Sequence, residues 1–488
     1  MNVRSNVVFV LLVAMLAGLL FLAATRERAP HAAPAVKHEE APTDAAARTD
    51  AVAFKPDASG ADTETGTPRD AGVPVLGRPM RVVALGWDML APGIVANGNH
   101  ATGEKGAFEA ANLEVHLRHA DAMSDVEVQL ARGGVDESGA DVAIVPLPAF
   151  AAAFERLRAL EPEAFLLVGW SRGHEAILGG KGASLARPRD LRPGDEVHVA
   201  TGHGEAATGF ALLLLDAVGI SPEHVRLVND PHGADFSAVV RPFGLESSRD
   251  TPNKLLVSTA DATQAVPIVA VAPHGLIEAH GQALAAWSKA WFQGVSRLRK
   301  DVPAAARLVA LESGAPEASQ LLESLGLSDL ALVQGNARAL GLSGRSAVTL
   351  QALFQRYLRL WRGVGAITVP APDAAPVTTN VLAAVVRSDP SLASSTPDVT
   401  QSGIASGPPL LAERIVDPKV DEPTLVDGMG FLAGVFEKAV VRVTTRNPAL
   451  ARSAVEASYG RFDVVQGRLV VGTAPTASAA LLEVVVSP

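Results

Sequence analysis

The hydrophobic and polar positions divide the chain into blocks of different period. Val7 to Ala24 is an unbroken apolar run, and from Arg26 to about Pro74 large apolar residues almost vanish among Ala, Pro, Asp, Glu and Thr. From Arg81 short β-branched runs alternate with longer segments of helical period, a pattern that predicts an α/β fold with mostly parallel sheet. The expected strands are Val82–Leu85, Leu113–Leu117, Asp141–Val145, Phe165–Val168, Glu196–Ala200, Val225–Val228, Lys254–Ser258 and Pro267–Val271. Between them Ser124–Ala131, Ala149–Leu160, Ala206–Val218 and Ala283–Arg299 carry the 3.6-residue period of helices with one buried face. The stretch Gly86-Trp87-Asp88, closed by Pro92-Gly93, is expected to be a loop at the end of the first strand.

After residue 389 the chain runs through a Ser/Pro/Gly-rich linker to about 409, and a last segment from Leu410 resumes regular patterning. There we expect helices at Asp427–Lys438 and Pro448–Tyr459 and strands at Val440–Thr444, Arg468–Val471 and Ala480–Val486, a small α+β module.

The chain of 488 residues is 48% hydrophobic and 19% charged, enough for two or three domains with real cores. Its net charge of −10 and lack of any Lys/Arg cluster argue against a nucleic-acid surface. With no cysteine there is no disulfide, thiol nucleophile, cysteine zinc site or lipid-modified N-terminal cysteine, so any membrane attachment is made by peptide. The first apolar run, about 18 residues, is near the lower limit for a bilayer span. It lacks a clean small-x-small cleavage site, which favours an uncleaved N-terminal anchor (residues 1–25) over a cleaved signal. Residues 26–78 then form a disordered tether, and the body lies outside the cytoplasmic membrane.

Three local patterns point to chemistry. Gly169-Trp170-Ser171-Arg172-Gly173 matches the nucleophile elbow of hydrolases, but Gly179-Gly180 cuts short any helix behind it, and no Asp-then-His order follows. A strand-end loop is the plainer reading. Gly202-His203-Gly204-Glu205-Ala206-Ala207 opens a helix straight after a strand, close to a dinucleotide fingerprint. Small residues and free N–H groups at a helix start suit capture of an anion or polar group; plain turn chemistry is the alternative. His203-Gly204, His232-Gly233 and His274-Gly275 each follow a strand, but without the tight spacing of metal ligands, and we assign neither a metal nor a cofactor.

The segments Glu104 to Val115, Leu130 to Asp136 and Ala140 to Val145, followed by Ala285 to Leu298, give the chain a resemblance in order and spacing. Together they resemble the nitrate, sulfonate, taurine and thiamine-precursor substrate-binding proteins of ABC importers, over about residues 80 to 385. The resemblance implies a two-lobed type II periplasmic-binding-protein fold, closing on a small-molecule ligand and delivering it to an ABC permease. It places the first lobe at 79–185 and 266–388 and the second at 186–265. Trp87 and Asp88 then lie at the cleft edge of the first strand, with a Trp87 packed under the lobe as the alternative. An aromatic face with a carboxylate suits a flat or cationic group. From position in that fold, Pro146, Leu147, Trp170, Ser171, Arg172, Thr201, Gly202, His203, Gly204, Thr208, Asp261 and Thr263 are further ligand candidates. Arg172 is the candidate partner for an acidic ligand. The expected function is extracytoplasmic capture of a small polar or anionic molecule, without catalysis. The alternatives are an envelope scaffold built on a binding-protein fold and a Ser171 hydrolase.

Overall fold

A computed structural model describes residues 76–98, 105–180, 187–202, 204–240, 255–342, 344–390, 409–416, 420–472 and 479–486. The expected anchor, residues 26–75 of the expected tether, and His203 lie outside these residues; at the tether's expected end, Arg78 instead pairs with buried Asp141 at 2.7 Å. No helix among the described residues is long and apolar enough to cross a membrane.

Two sheets carry the body, and both are wound in the same way. The first contains β1 (Met80–Ala84), β2 (Val115–His119), β3 (Val142–Pro146), β4 (Pro162–Ser171), β10 (Pro267–Pro273) and β11 (Ser328–Leu330), in the order β11-β4-β10-β3-β1-β2. The second contains β5 (Glu175–Gly179), β6 (Val197–Ala200), β7 (Val225–Val228), β8 (Phe236–Val240) and β9 (Leu255–Ser258), in the order β7-β6-β8-β5-β9. In each, three parallel strands are followed by one antiparallel strand that has arrived from the other lobe, β10 in the first and β5 in the second. Beyond it lies a fifth strand, β4 or β9, with β11 as a sixth at the edge of the first sheet. Two connections, Ser171 to Glu175 and Ser258 to Pro267, therefore join the lobes, and this shared order defines a two-lobed α/β fold.

The chain leaves the first sheet at Ser171 and enters the second at Glu175, so the expected crossover near residue 186 is corrected. β5 escaped the pattern because Glu175-Ala-Ile-Leu-Gly is too short to show a period. The expected loop at Trp87 is also corrected: Trp87–Asn97 is a helix with Pro92 inside it. Its Gly93 faces Trp291, and Gly294 of the long helix His274–Lys300 faces the Pro92 carbonyl, each with less than 3 Å of room for a Cβ. Two missing side chains let the backbones approach closely, and that packing overrides the breaker signal of Pro-Gly.

The lobes are not separated by an open groove along their whole length. Helix Leu147–Leu157 of the first lobe packs on helix Glu205–Ala217 of the second, with a Cβ at Gly209 only 2.5 Å from Pro148. Helix Leu350–Gly363 seals this contact: the Tyr357 hydroxyl donates to Ala265 O (2.7 Å) and the Trp361 indole to Pro148 O (3.0 Å).

The C-terminal module has β12 (Leu411–Val416), β13 (Val440–Thr444), β14 (Leu469–Val471) and β15 (Ala479–Val485) in the order β12-β15-β13-β14. Helices Glu422–Val435 and Pro448–Arg461 cover it. Buried Arg468 holds the module together by donating to Ala433 O, Phe436 O and Ala439 O at 2.8, 2.6 and 3.1 Å. The module's buried apolar side chains join those of both lobes in one core.

Candidate binding site at the hinge

The residues between β4 and β5 are polar because they pass from one sheet to the other with little core on either side. These three, Arg172 to His174, with Ser171 and Glu175 at the flanking strand ends, meet Thr259 at the second connection. The Ser171 hydroxyl donates to the Glu175 carboxylate and lies 2.9 Å from the Thr259 hydroxyl, which also accepts from Gly173 N at 2.7 Å. Ser171 is 1% exposed and its hydroxyl is spent on the Glu175 carboxylate and the Thr259 hydroxyl, so the elbow pattern ties the two connections together. Burial pushes the Glu175 carboxyl above its usual value, against the lowering effect of His174 and the hydroxyl bonds.

Next to this tie, Asp88, His174 and Ser328 form a compact triangle. Ser328 Oγ donates to Asp88 Oδ2 at 2.8 Å, and His174 Nε2 lies 3.2 Å from the same carboxylate oxygen and 3.1 Å from Ser328 Oγ. A catalytic triad needs the acid on one imidazole nitrogen and the hydroxyl on the other. Here one nitrogen serves both, so the arrangement fastens the start of helix Trp87–Asn97 and edge strand β11 to the hinge. Burial by itself would raise the Asp88 carboxyl, but the His174 charge and the hydrogen bonds from His174 and Ser328 leave it below its ordinary value.

The other expected positions separate. Trp87 stacks on His119 at the carboxyl end of β2, with ring centroids 4.8 Å apart and planes within 10°. Leu147 is fully buried and Pro146 closes β3, so both serve the core. In the second lobe Gly202 and Gly204 are exposed, while Thr208 is buried and spends its hydroxyl on Gly204 O at 2.9 Å. Asp261 closes the turn after β9 by accepting from Ser258 N at 2.9 Å. Thr263 is wholly buried, its hydroxyl without a partner among the described residues. His232 lies in a short turn of the second lobe, capped by Asp230, and His274 pairs with Glu163 in the first.

Two of the expected residues, Trp170 and Arg172, do line a cavity. It has a volume of about 630 Å³ and lies between the β4/β11 edge of the first sheet and the C-terminal module. That is within the roughly 300–1,000 Å³ of ligand pockets. A smaller cavity of about 350 Å³ shares Arg172 and Asp329 with it. Four arginines (Arg172, Arg299, Arg338, Arg468) face three carboxylates (Asp329, Glu437, Asp463) in the larger one, an excess of one positive charge. Arg172 Nη2 pairs with Asp329 at 2.6 Å and with Glu437 at 3.6 Å, whereas its buried Nε has no partner among the described residues. Arg338 reaches Glu437 at 3.7 Å and Asp463 at 4.0 Å. Sequence reasoning named Arg172 but missed His174, Ser328, Asp329, Arg338 and Glu437. None stands in a motif, and only the density of polar residues in Ser171-Arg-Gly-His-Glu175 between two apolar runs signalled a crossover.

No family model and no curated protein matches the chain. Solved structures similar to it are periplasmic binding proteins and related import components. The periplasmic nitrate-binding protein NrtA from Synechocystis PCC 6803 is 11% identical, with a TM-score of 0.44, over 64% of this chain and 89% of that one. The ligand-binding component of an ABC-type import system from Staphylococcus aureus is 15% identical, with a TM-score of 0.42, over 63% and 98%. The periplasmic aliphatic sulphonate binding protein SsuA from Escherichia coli is 15% identical, with a TM-score of 0.41, over 60% and 92%. The two-lobed assignment rests on the strand order shared by both sheets.

Proposed function

We propose that the protein is an extracytoplasmic binding protein for a small anionic molecule, held at the hinge in the cavity lined by Trp170 and Arg172. The observation that carries this reading is the Arg172 guanidinium: it lines both cavities, and one buried N–H is unused. A planar fork of donors in a partly desolvated wall suits carboxylate, sulfonate or phosphate. The extracytoplasmic setting follows from the apolar block Val7 to Ala24 and the polar stretch after it, and delivery to an ABC permease follows from the resemblance of the body to importer binding proteins. Mass spectrometry of the molecule that co-purifies with the full chain identifies the ligand, and calorimetry with Arg172→Gln tests the site. We expect affinity to fall at least about tenfold on loss of a charge-assisted contact; an unchanged affinity refutes the assignment.

One observation favours an envelope scaffold as the second reading: the C-terminal segment touches both lobes. Arg189 of the second lobe donates to Pro409 O at 3.3 Å, Arg345 of the first to Tyr459 O at 2.5 Å, and Gln264 N at the hinge to Val435 O at 3.0 Å. Such a clamp opposes the opening and closing of a transport receptor. A chain that carries no bound molecule and whose scattering profile is insensitive to small anions supports this reading over the first.

A further inference from the structure

We propose that Glu437 of the C-terminal module occupies the anion position between Arg172 and Arg338, so that a small carboxylate or sulfonate entering the cavity competes with the module's own side chain and loosens its docking. The inference rests on the reading above that the cavity takes anions. Glu437 follows directly on helix Glu422–Val435 and its C-cap Phe436, and it spreads its two oxygens over two arginines, Oε2 to Arg172 at 3.6 Å and Oε1 to Arg338 at 3.7 Å. Both distances are those of ion pairs, outside the 2.7–3.2 Å typical of hydrogen bonds. Asp329, by contrast, takes a direct bond from Arg172 at 2.6 Å. Among the described residues Glu437 therefore matches the site in charge but accepts no hydrogen bond, and Arg172 Nε has no partner. A free anion able to approach within bonding distance gains charge-assisted hydrogen bonds that the tethered carboxylate does not make. The module's other carboxylate here, Asp463, also faces Arg338, at 4.0 Å. The arginines that would receive a ligand are thus those that pair with the module's carboxylates, and linkage makes the effect reciprocal: whatever the anion costs the docking, the docking costs the anion.

The test uses the full chain, with acetate, methanesulfonate and inorganic phosphate as probes. Trp170 fluorescence reports binding, with Trp170→Phe as the control that assigns the signal. Glu437→Gln, which keeps shape and removes charge, is expected to bind the probe anion about fivefold to tenfold tighter than the native chain, the equivalent of roughly 1 kcal/mol. Asp463→Asn, acting on a longer contact, is expected to shift affinity less than Glu437→Gln. In the native chain, a saturating anion should speed hydrogen exchange at the Gln264 amide, which bonds across the seam to Val435 O. Binding that is equally tight in native chain and Glu437→Gln overturns the stand-in and leaves the cavity reading intact. Binding with unchanged protection of Gln264 overturns the coupling. No binding of any probe to either chain overturns the cavity reading, and the inference with it.

Discussion

The seam between the C-terminal module and the second lobe contains a carboxyl whose titration should be visible in the stability of the protein. Glu413 on β12 lies near Arg356 and Asp216, and burial is the first cause that pushes its pKa from 4.5 to about 7, with Asp216 adding to the rise and Arg356 opposing it. Around it, Arg356 donates to Asp216 at 2.5 Å and lies 3.4 Å over the Phe431 ring, while Arg359 donates to Asp216 at 2.9 Å. Below pH 4.5 Glu413 is protonated folded and unfolded, and its contribution is fully present. As pH rises from 4.5 towards 7 the unfolded chain releases the proton first, so stability falls, and above about 7 the loss is complete. One pKa unit is worth about 1.4 kcal/mol, so the full movement corresponds to about 3 kcal/mol, reduced to roughly 2–3 by the solvent that reaches the side chain. Glu413→Gln cannot ionise and should escape this loss. Urea denaturation of both chains from pH 4.5 to 8.5 isolates the effect, because Glu175, raised in the same direction, cancels in the difference. We expect the variant to gain roughly 2 kcal/mol on the native chain across that range. A difference that stays flat between pH 5 and 8 would refute the placement of Glu413 near Asp216 in a largely buried seam.

Asp88→Asn should cost about 3 kcal/mol, as for breaking a buried ion pair, because the amide keeps one acceptor oxygen but loses the negative charge that His174 and Ser328 face; in the native chain the Asp88 contribution is present above pH 3.8 and lost as pH falls through its lowered folded value, which acid titration of the two chains checks. Gly209→Val should destabilise by roughly 1–3 kcal/mol or more, since its Cβ falls 2.5 Å from Pro148 in the inter-lobe contact, and a thermal melt reads this directly. Gly204→Val should cost about 1–2 kcal/mol from backbone conformation alone, at φ +88° with open space around it, while anion affinity measured by calorimetry stays unchanged if the hinge cavity is the site.

The sequence made the order of strands and helices legible wherever the pattern was long. Helix Glu205–Ala217 carries ALLLL between a glycine start and Val218-Gly219, and the strands before and after it are β-branched, so period and punctuation agree. It hid elements whose cause lies in another part of the chain. Helix Trp87–Asn97 contains Pro92-Gly93 and persists because Gly294 and Trp291, some two hundred residues on, accept it at close range. β5 and β12 have little period of their own and become strands only when β8, β9 and β15 supply partners. The same limit applied to the candidate site: Trp170 and Arg172 were found from their place at a strand end, whereas Asp329, Arg338 and Glu437 come from segments with no mutual signal in the chain.

What those distant residues share is an alternation of sign. Arg299, Asp329, Arg172, Glu437, Arg338 and Asp463 form a ladder of successive ion pairs at 3.5, 2.6, 3.6, 3.7 and 4.0 Å. The first two rungs, at 3.5 and 2.6 Å, lie within the body, and the three at 3.6, 3.7 and 4.0 Å cross to the module. Partly exposed pairs at the long distances contribute little to stability, at most about 1 kcal/mol each, so they are poorly suited to hold the module in place. The apolar seam does that, where Gly434 lets Val348 approach to 2.4 Å of a Cβ position and Phe431 lies under Arg356. A weak, sign-alternating ladder over a strong apolar seam leaves the charges free to rearrange without detaching the module, which is the division of labour that the proposed anion site requires.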